Sequence, residues 1–107
     1  MNPPLEEAIQ KSLRYLVQAA MTQRPAPIRI LLIGSQARGD AHSTSDIDVA
    51  FEFEGNAQPT ATEWAAFCLL IREHAPTLRS FDLVRLDQAP AELREVVKRE
   101  GVALYPL

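Results

Sequence analysis

The sequence predicts an α+β fold, a small mixed β-sheet with flanking helices. Residues 28–33, Ile-Arg-Ile-Leu-Leu-Ile, form a nearly continuous β-branched and aliphatic run that suits a central strand. Residues 46–53 alternate cleanly between apolar and polar or small positions, the period of a strand with two unlike faces. About a dozen residues join the two, a spacing compatible with antiparallel pairing. Amphipathic helical patterns lie on either side of this pair, so helices should pack on the sheet. The expected order is helix, strand, turn, strand, helix, strand, helix, strand.

Each element has its own signal. Leu5, Ile9, Leu13, Leu16, Val17 and Ala20 recur at helical spacing, so about residues 4–22 read as the first helix. Pro4 suits its first turn, and Glu6 and Glu7 suit the positive end of its dipole. Arg24-Pro25-Ala26-Pro27 breaks it, and Gly34 ends the strand that follows. Residues 35–45 read as a short helix or turn and a polar loop. In the next strand Ile47, Val49, Phe51 and Phe53 form a core face. Asp46, Asp48, Ala50 and Glu52 form the other face, too acidic for a core and expected to meet solvent or metal.

After a loop from Gly55 to Thr60, the spacing of Thr60 and Glu63 is that of a capping box. It predicts a helix over 61–74 with Trp64, Phe67, Cys68 and Ile71 as its buried stripe. Pro76 follows. Ser80 to Leu86 fit a third strand on which Asp82, Val84 and Leu86 share a face. Pro90 opens a last helix carrying Leu93, Val96 and Val97. Gly101 ends it, and Val102 to Tyr105 fit a short edge strand.

A chain of 107 residues predicts one domain, 1–107, with a catalytic core over about 28–105. A net charge of −3 and a pI near 5.3 argue against direct nucleic-acid binding, which favours a basic face. The single cysteine, Cys68, excludes an intramolecular disulfide and fits a reducing cytosol. The N-terminus lacks a basic segment followed by an apolar one, so no signal peptide is expected. The apolar run around residues 30–33 is far too short to span a bilayer. These features together predict a cytoplasmic protein with no membrane contact.

The chemistry concentrates in Gly34-Ser35 and, ten residues later, Asp46-Ile47-Asp48. Asp46 and Asp48 lie on one strand face and are spaced to share metal ions. A Gly-Ser turn after a strand leaves backbone N–H groups for an anion, and Ser35 adds a hydroxyl. Transfer of phosphoryl or nucleotidyl groups needs neutralised phosphate oxygens and in-line positioning, and magnesium supplies the neutralisation. A third carboxylate from a neighbouring strand would complete a two-metal site. Asp82 is the candidate, as the acidic residue that interrupts Phe81-Asp82-Leu83-Val84. An isolated Asp-x-Asp reads as a solvated strand face; the fixed spacing to Gly34-Ser35 and the presence of Asp82 reverse that balance.

Other candidates carry less. Gly34 and Gly39 have the glycine spacing of a P-loop, but Asp40 and Ala41 stand where Lys and Ser or Thr are required. Arg38 has two readings, a phosphate contact or a surface ion pair with Asp40 or another acid. Ser45 reads as a cap on the turn before the strand, with a polar ligand contact as the alternative. His42 reads as an exposed loop residue, and His74 suits the negative end of its helix. With Cys68 these are too few ligands for a zinc site. Glu52 and Glu54 extend the acidic face as solvated groups.

Gly34-Ser35-Gln36-Ala37-Arg38-Gly39, the interval, and Ser45-Asp46-Ile47-Asp48-Val49 resemble the signature of the nucleotidyltransferase fold superfamily. Within it the chain resembles the minimal nucleotidyltransferase (MNT) family, from about Ile28 to Tyr105. Phe81-Asp82-Leu83-Val84 is similar to that family's third-carboxylate strand, and Leu93 to Tyr105 to its closing helix and strand. The resemblance implies ATP bound with two magnesium ions between the turn and the acidic strand. Asp46, Asp48 and Asp82 would then be the catalytic metal ligands, with Asp82 also able to help activate the acceptor hydroxyl. Gly34, Ser35, Arg38 and Ser45 would contact the nucleotide. Gln36 departs from the family pattern, where many relatives carry Arg, and so removes one possible phosphate contact.

The resemblance also implies a biological setting. Members are often encoded beside a HEPN-domain ribonuclease toxin and act as its antitoxin. Some transfer AMP to a tyrosine hydroxyl of that toxin. The leading expectation is therefore a metal-dependent protein adenylyltransferase that forms a hetero-oligomer with a HEPN-type toxin. The short chain has little room for a separate substrate domain, which favours an acceptor supplied by a partner protein. One alternative is a non-catalytic module that neutralises its partner by direct binding. Another is a nucleotide-binding regulator without turnover.

Overall fold

A computed structural model describes residues 5–42 and 45–106 of the chain. The apolar run forms β1 (Arg29–Ile33), in which Ile30, Leu31, Leu32 and Ile33 are all buried. Burial on both faces follows from its inner position. β1 pairs antiparallel with β2 (Ile47–Glu52) on one side and with β4 (Val102–Tyr105) on the other. β3 (Phe81–Arg85) adds to β2 in parallel. The sheet order is therefore β3-β2-β1-β4, mixed as expected, with β4 at an edge.

Helices cover both faces of the sheet. On one, α1 (Glu7–Met21) contributes Ile9, Leu13, Leu16 and Ala20, and α3 (Ala61–His74) contributes Phe67 and Ile71. These pack on Ile30, Leu32, Ile47, Val49 and Phe51. On the other face α4 (Ala91–Glu100) sets Val97 against Leu31, Ile33 and Ala50, with Leu86 and Leu93 at the margin. This corrects the expectation that the whole Asp46–Glu52 face meets solvent or metal. Ala50 is fully buried beneath α4, while Asp46 on one side of it is exposed and Asp48 and Glu52 are part-exposed. Alternation assigns residues to a side of the strand; it does not say what packs on that side.

The helix ends follow their local chemistry. α1 starts at Glu7, later than the expected residue 4, with Glu6 at the N-cap making no side-chain cap; Pro4 lies outside the described residues. α3 has the expected bounds. Its capping box is reciprocal, with Thr60 N–H donating to Glu63 Oε1 at 2.8 Å and Glu63 N–H to Thr60 Oγ1 at 3.1 Å. Pro90 caps α4, where its missing N–H costs nothing because the first turn has no intrahelical acceptor.

Phe53 and Trp64, with Phe51 and Phe67, make edge-to-face contacts at the end of the sheet away from Gly34. Cys68 is buried beside this stripe, and burial pushes its thiol pKa up. Among the described residues, no helix is long and apolar enough to cross a membrane.

Candidate active site

The site begins where β1 ends. Ile33 is the Cα partner of Asp48 in the antiparallel pairing of β1 and β2. The next residue, Gly34, has φ +71° and opens the five-residue helix α2 (Gly34–Arg38). A Cβ at Gly34 would collide with the Asp48 carboxylate, Oδ2 foremost. Glycine is required here twice over, by the left-handed backbone and by the side chain that fills its open side. The turn and the acidic strand are thus in direct contact. Gly39, with φ 84°, closes α2, and Gly39 N–H and Asp40 N–H both donate to the Ser35 carbonyl, at 2.9 and 3.1 Å.

Across the parallel pairing, Asp48 is the Cα partner of Asp82. Asp46 immediately precedes β2 and is exposed, as is Asp82; Asp48 is half-buried. The Asp48 carboxyl pKa is raised by burial first, then by the charges of Asp82 and Asp46, with Arg38 opposing them. The structure therefore brings together the acidic residues that lie far apart in the chain.

Among the described residues, no group of three or more His, Cys, Asp or Glu side chains closes on a point that could hold a metal ion. The donor set nevertheless fits a hard divalent cation. Its groups are all carboxylate oxygens, the ligand type such a cation takes, and Asp48 lies within the field of both Asp82 and Asp46.

The remaining candidates divide. Arg38 pairs with Asp40, Nε to Oδ2 at 3.1 Å, and with Glu100 of α4 at 3.5 Å, so the surface ion-pair reading describes its contacts. Ser45 caps the turn as expected: its Oγ accepts from His42 N–H at 2.7 Å and its N–H donates to the His42 carbonyl at 3.0 Å. Gln36 is buried in α2, and among the described residues its Nε2 meets no hydrogen-bond partner.

One residue that sequence reasoning missed stands close to this site. Arg79, just ahead of β3, donates from Nη1 to the His42 carbonyl at 2.8 Å and to the Ser45 carbonyl at 3.4 Å. Its Nη2 meets the Glu6 carboxylate at the head of α1. No local pattern marks Arg79, because its partners lie 34 to 73 residues away. A cleft of about 810 Å³ opens beside Asp46, with Ala8 of α1 on one wall and Pro76, Leu78 and Arg79 on the other. Leu78 projects fully into solvent at its rim.

The family model described as "Polymerase beta, Nucleotidyltransferase" matches residues 16–106 of the chain. No curated protein sequence gives a significant match. Several solved structures share the fold. A toxin–antitoxin crystal structure with AMP-PNP is 21% identical, with 94% of this chain and 73% of that one covered and a TM-score of 0.69. A tri-AMPylated Shewanella oneidensis HEPN toxin in complex with MNT antitoxin is 20% identical, with 90% and 71% covered and a TM-score of 0.68. A structure described as a minimal nucleotidyltransferase is 25% identical, with 90% and 92% covered and a TM-score of 0.71.

Proposed function

The chain belongs to the polymerase beta nucleotidyltransferase family, and on that premise we propose that it transfers AMP from ATP to a hydroxyl of a partner protein. The acceptor is a tyrosine of a HEPN-type toxin, which this chain neutralises as an antitoxin in a cytosolic hetero-oligomer. The similarity to a toxin–antitoxin structure with AMP-PNP and to a complex containing a tri-AMPylated toxin supports this reading.

The observation that carries it is the opposition of Asp48 and Asp82 across β2 and β3, with Gly34 packed on Asp48. Asp46, Asp48 and Asp82 hold magnesium, which when bound neutralises the phosphate oxygens and the developing charge of the leaving group. The Gly34-Ser35 turn, pressed against Asp48, holds the phosphate chain beside the carboxylates. Asp82, exposed at the sheet margin, accepts the proton of the incoming hydroxyl. The acceptor oxygen bonds to the α-phosphorus as the bond from that phosphorus to the bridging oxygen breaks. Pyrophosphate leaves with the electron pair of the broken bond.

The test is co-incubation of the chain with the protein encoded beside it, ATP and magnesium, followed by intact-mass measurement. A gain of one or more AMP units on the neighbour is expected. Asp46→Asn and Asp48→Asn should each lower the transfer rate by at least about a hundredfold. Neutralisation of the neighbour without any mass gain, and undiminished in both variants, would instead establish direct binding as the function.

A further inference from the structure

We infer that Arg79 is a positioning residue, whose guanidinium holds the loop that presents Asp46 to the acidic site. This deepens the function proposed above and rests on Asp46 being a metal ligand there. Asp46 lies just outside the sheet ladder, since β2 begins at Ile47. Its backbone is fixed through its neighbours, and both neighbours are tied to the segment leading into β3. On one side Arg79 Nη1 reaches the carbonyls of His42 and Ser45 at 2.8 and 3.4 Å. On the other, Ile47 N–H donates to the Ser80 carbonyl at 2.9 Å. Asp46 is thus suspended between two attachments to Arg79-Ser80, two residues ahead of Asp82.

The chemistry of the contact suits a clamp. The turn closes on itself through the two hydrogen bonds between His42 and Ser45. Arg79 caps it from outside with charge-assisted donors, which are stronger than neutral ones. Its side chain is only 13% exposed, so water competes little for those bonds. The Glu6 carboxylate engages Nη2 and fixes the plane of the guanidinium. A rigid planar fork serves several acceptors at once, whereas an ammonium is a compact point charge on a flexible stem. The same short segment therefore supplies Asp82 and sets where Asp46 stands.

Manganese(II) binding to the full chain in the presence of α,β-methylene-ATP, read by electron paramagnetic resonance, tests this without turnover. Arg79→Gln should weaken Mn²⁺ binding about tenfold, the scale on which groups that orient a metal ligand act. Arg79→Lys should weaken it by less. Asp46→Asn should weaken it too, and adding Arg79→Gln to Asp46→Asn should cause little further loss, because the arginine acts through Asp46. Parental affinity in Arg79→Gln, or fully additive losses in the double variant, overturns the role of Arg79 while leaving the metal site intact. Parental affinity in Asp46→Asn overturns the metal-site reading and this inference with it. Should Arg79→Gln fail to fold, Arg79→Lys decides the matter: parental affinity there overturns the clamp, and a partial loss supports it.

Discussion

Asp48 and Asp82 stand directly opposite each other as Cα partners in the parallel pairing of β2 and β3. Like charges at facing positions destabilise a sheet. Asp46, next to the strand, adds to the same field, and burial raises the Asp48 pKa further. The protein therefore keeps an arrangement that works against its own stability, as a site shaped for a cation would.

The sign of the pH dependence follows. The folded-state pKa of Asp48 is raised above its unfolded value, by burial and by Asp82 and Asp46, against the pull of Arg38. Below the unfolded value the residue is protonated in both states and carries no penalty. As pH rises from there through the raised folded value, the unfolded chain ionises first and stability is lost. In metal-free buffer, Asp48→Asn should melt at a higher temperature than the parent at neutral pH. The gap should close as the pH falls below the ordinary aspartate range. Thermal melts over a pH series measure this, and equal melting temperatures throughout would contradict it.

Gly34 should tolerate no side chain. Its φ of +71° strains any other residue, and a Cβ would strike the Asp48 carboxylate. Gly34→Ala should cost roughly 1–3 kcal/mol in urea unfolding. In an Asp48→Ala background the collision is gone, so the remaining cost should fall to the backbone term, about 1 kcal/mol. An unchanged penalty would show that the carboxylate is not what excludes the side chain.

Arg85 anchors the opposite end of β3. Its side chain is 5% exposed, forks onto Asp87 at 3.2 and 3.0 Å, and lies over the rings of Phe53 and Trp64 at 6.0 and 5.8 Å. Arg85→Ala leaves Asp87 without its partner and opens a void beside Trp64. A loss of roughly 2–4 kcal/mol in unfolding free energy is expected. Tryptophan fluorescence should shift, while Mn²⁺ binding at the acidic end of the sheet should stay at parental strength.

The start of α3 offers a smaller, local test. Thr60→Ala removes one half of a reciprocal cap and should cost about 1 kcal/mol. Glu63→Ala in that background should add less than it does alone, because the two bonds act as a unit. Urea denaturation of the four species measures the coupling.

The elements were legible in the sequence wherever the signal was local. The apolar run Ile30–Ile33, the alternation Ile47-Val49-Phe51 and the Thr60–Glu63 box each state their structure within a few residues, and α3 has the expected bounds. Gly34, Asp48 and Asp82 stood out in the sequence only in combination, through the fixed spacing of Gly34-Ser35 to Asp46-Ile47-Asp48 and a third acidic residue in a separate strand; that Asp48 and Asp82 are Cα partners comes from the register of β2 and β3. The start of α1 was read too early, since helical periodicity in Leu5 and Ile9 does not mark the cap. The burial of Ala50 was missed because a strand's alternation is silent about what covers each face.

By itself the sequence determined the strands, the helices and the residue types able to bind a metal–phosphate group. Those depend on period, capping and composition, which act over one or two turns of chain. Tertiary structure alone decided that Asp48 faces Asp82, that Gly34 seats against Asp48, and that Arg79 grips the loop before Asp46. Each of these depends on strand order and register. Order and register come from packing α1 and α3 on one face of the sheet and α4 on the other at the same time, a condition that no single stretch of the chain contains.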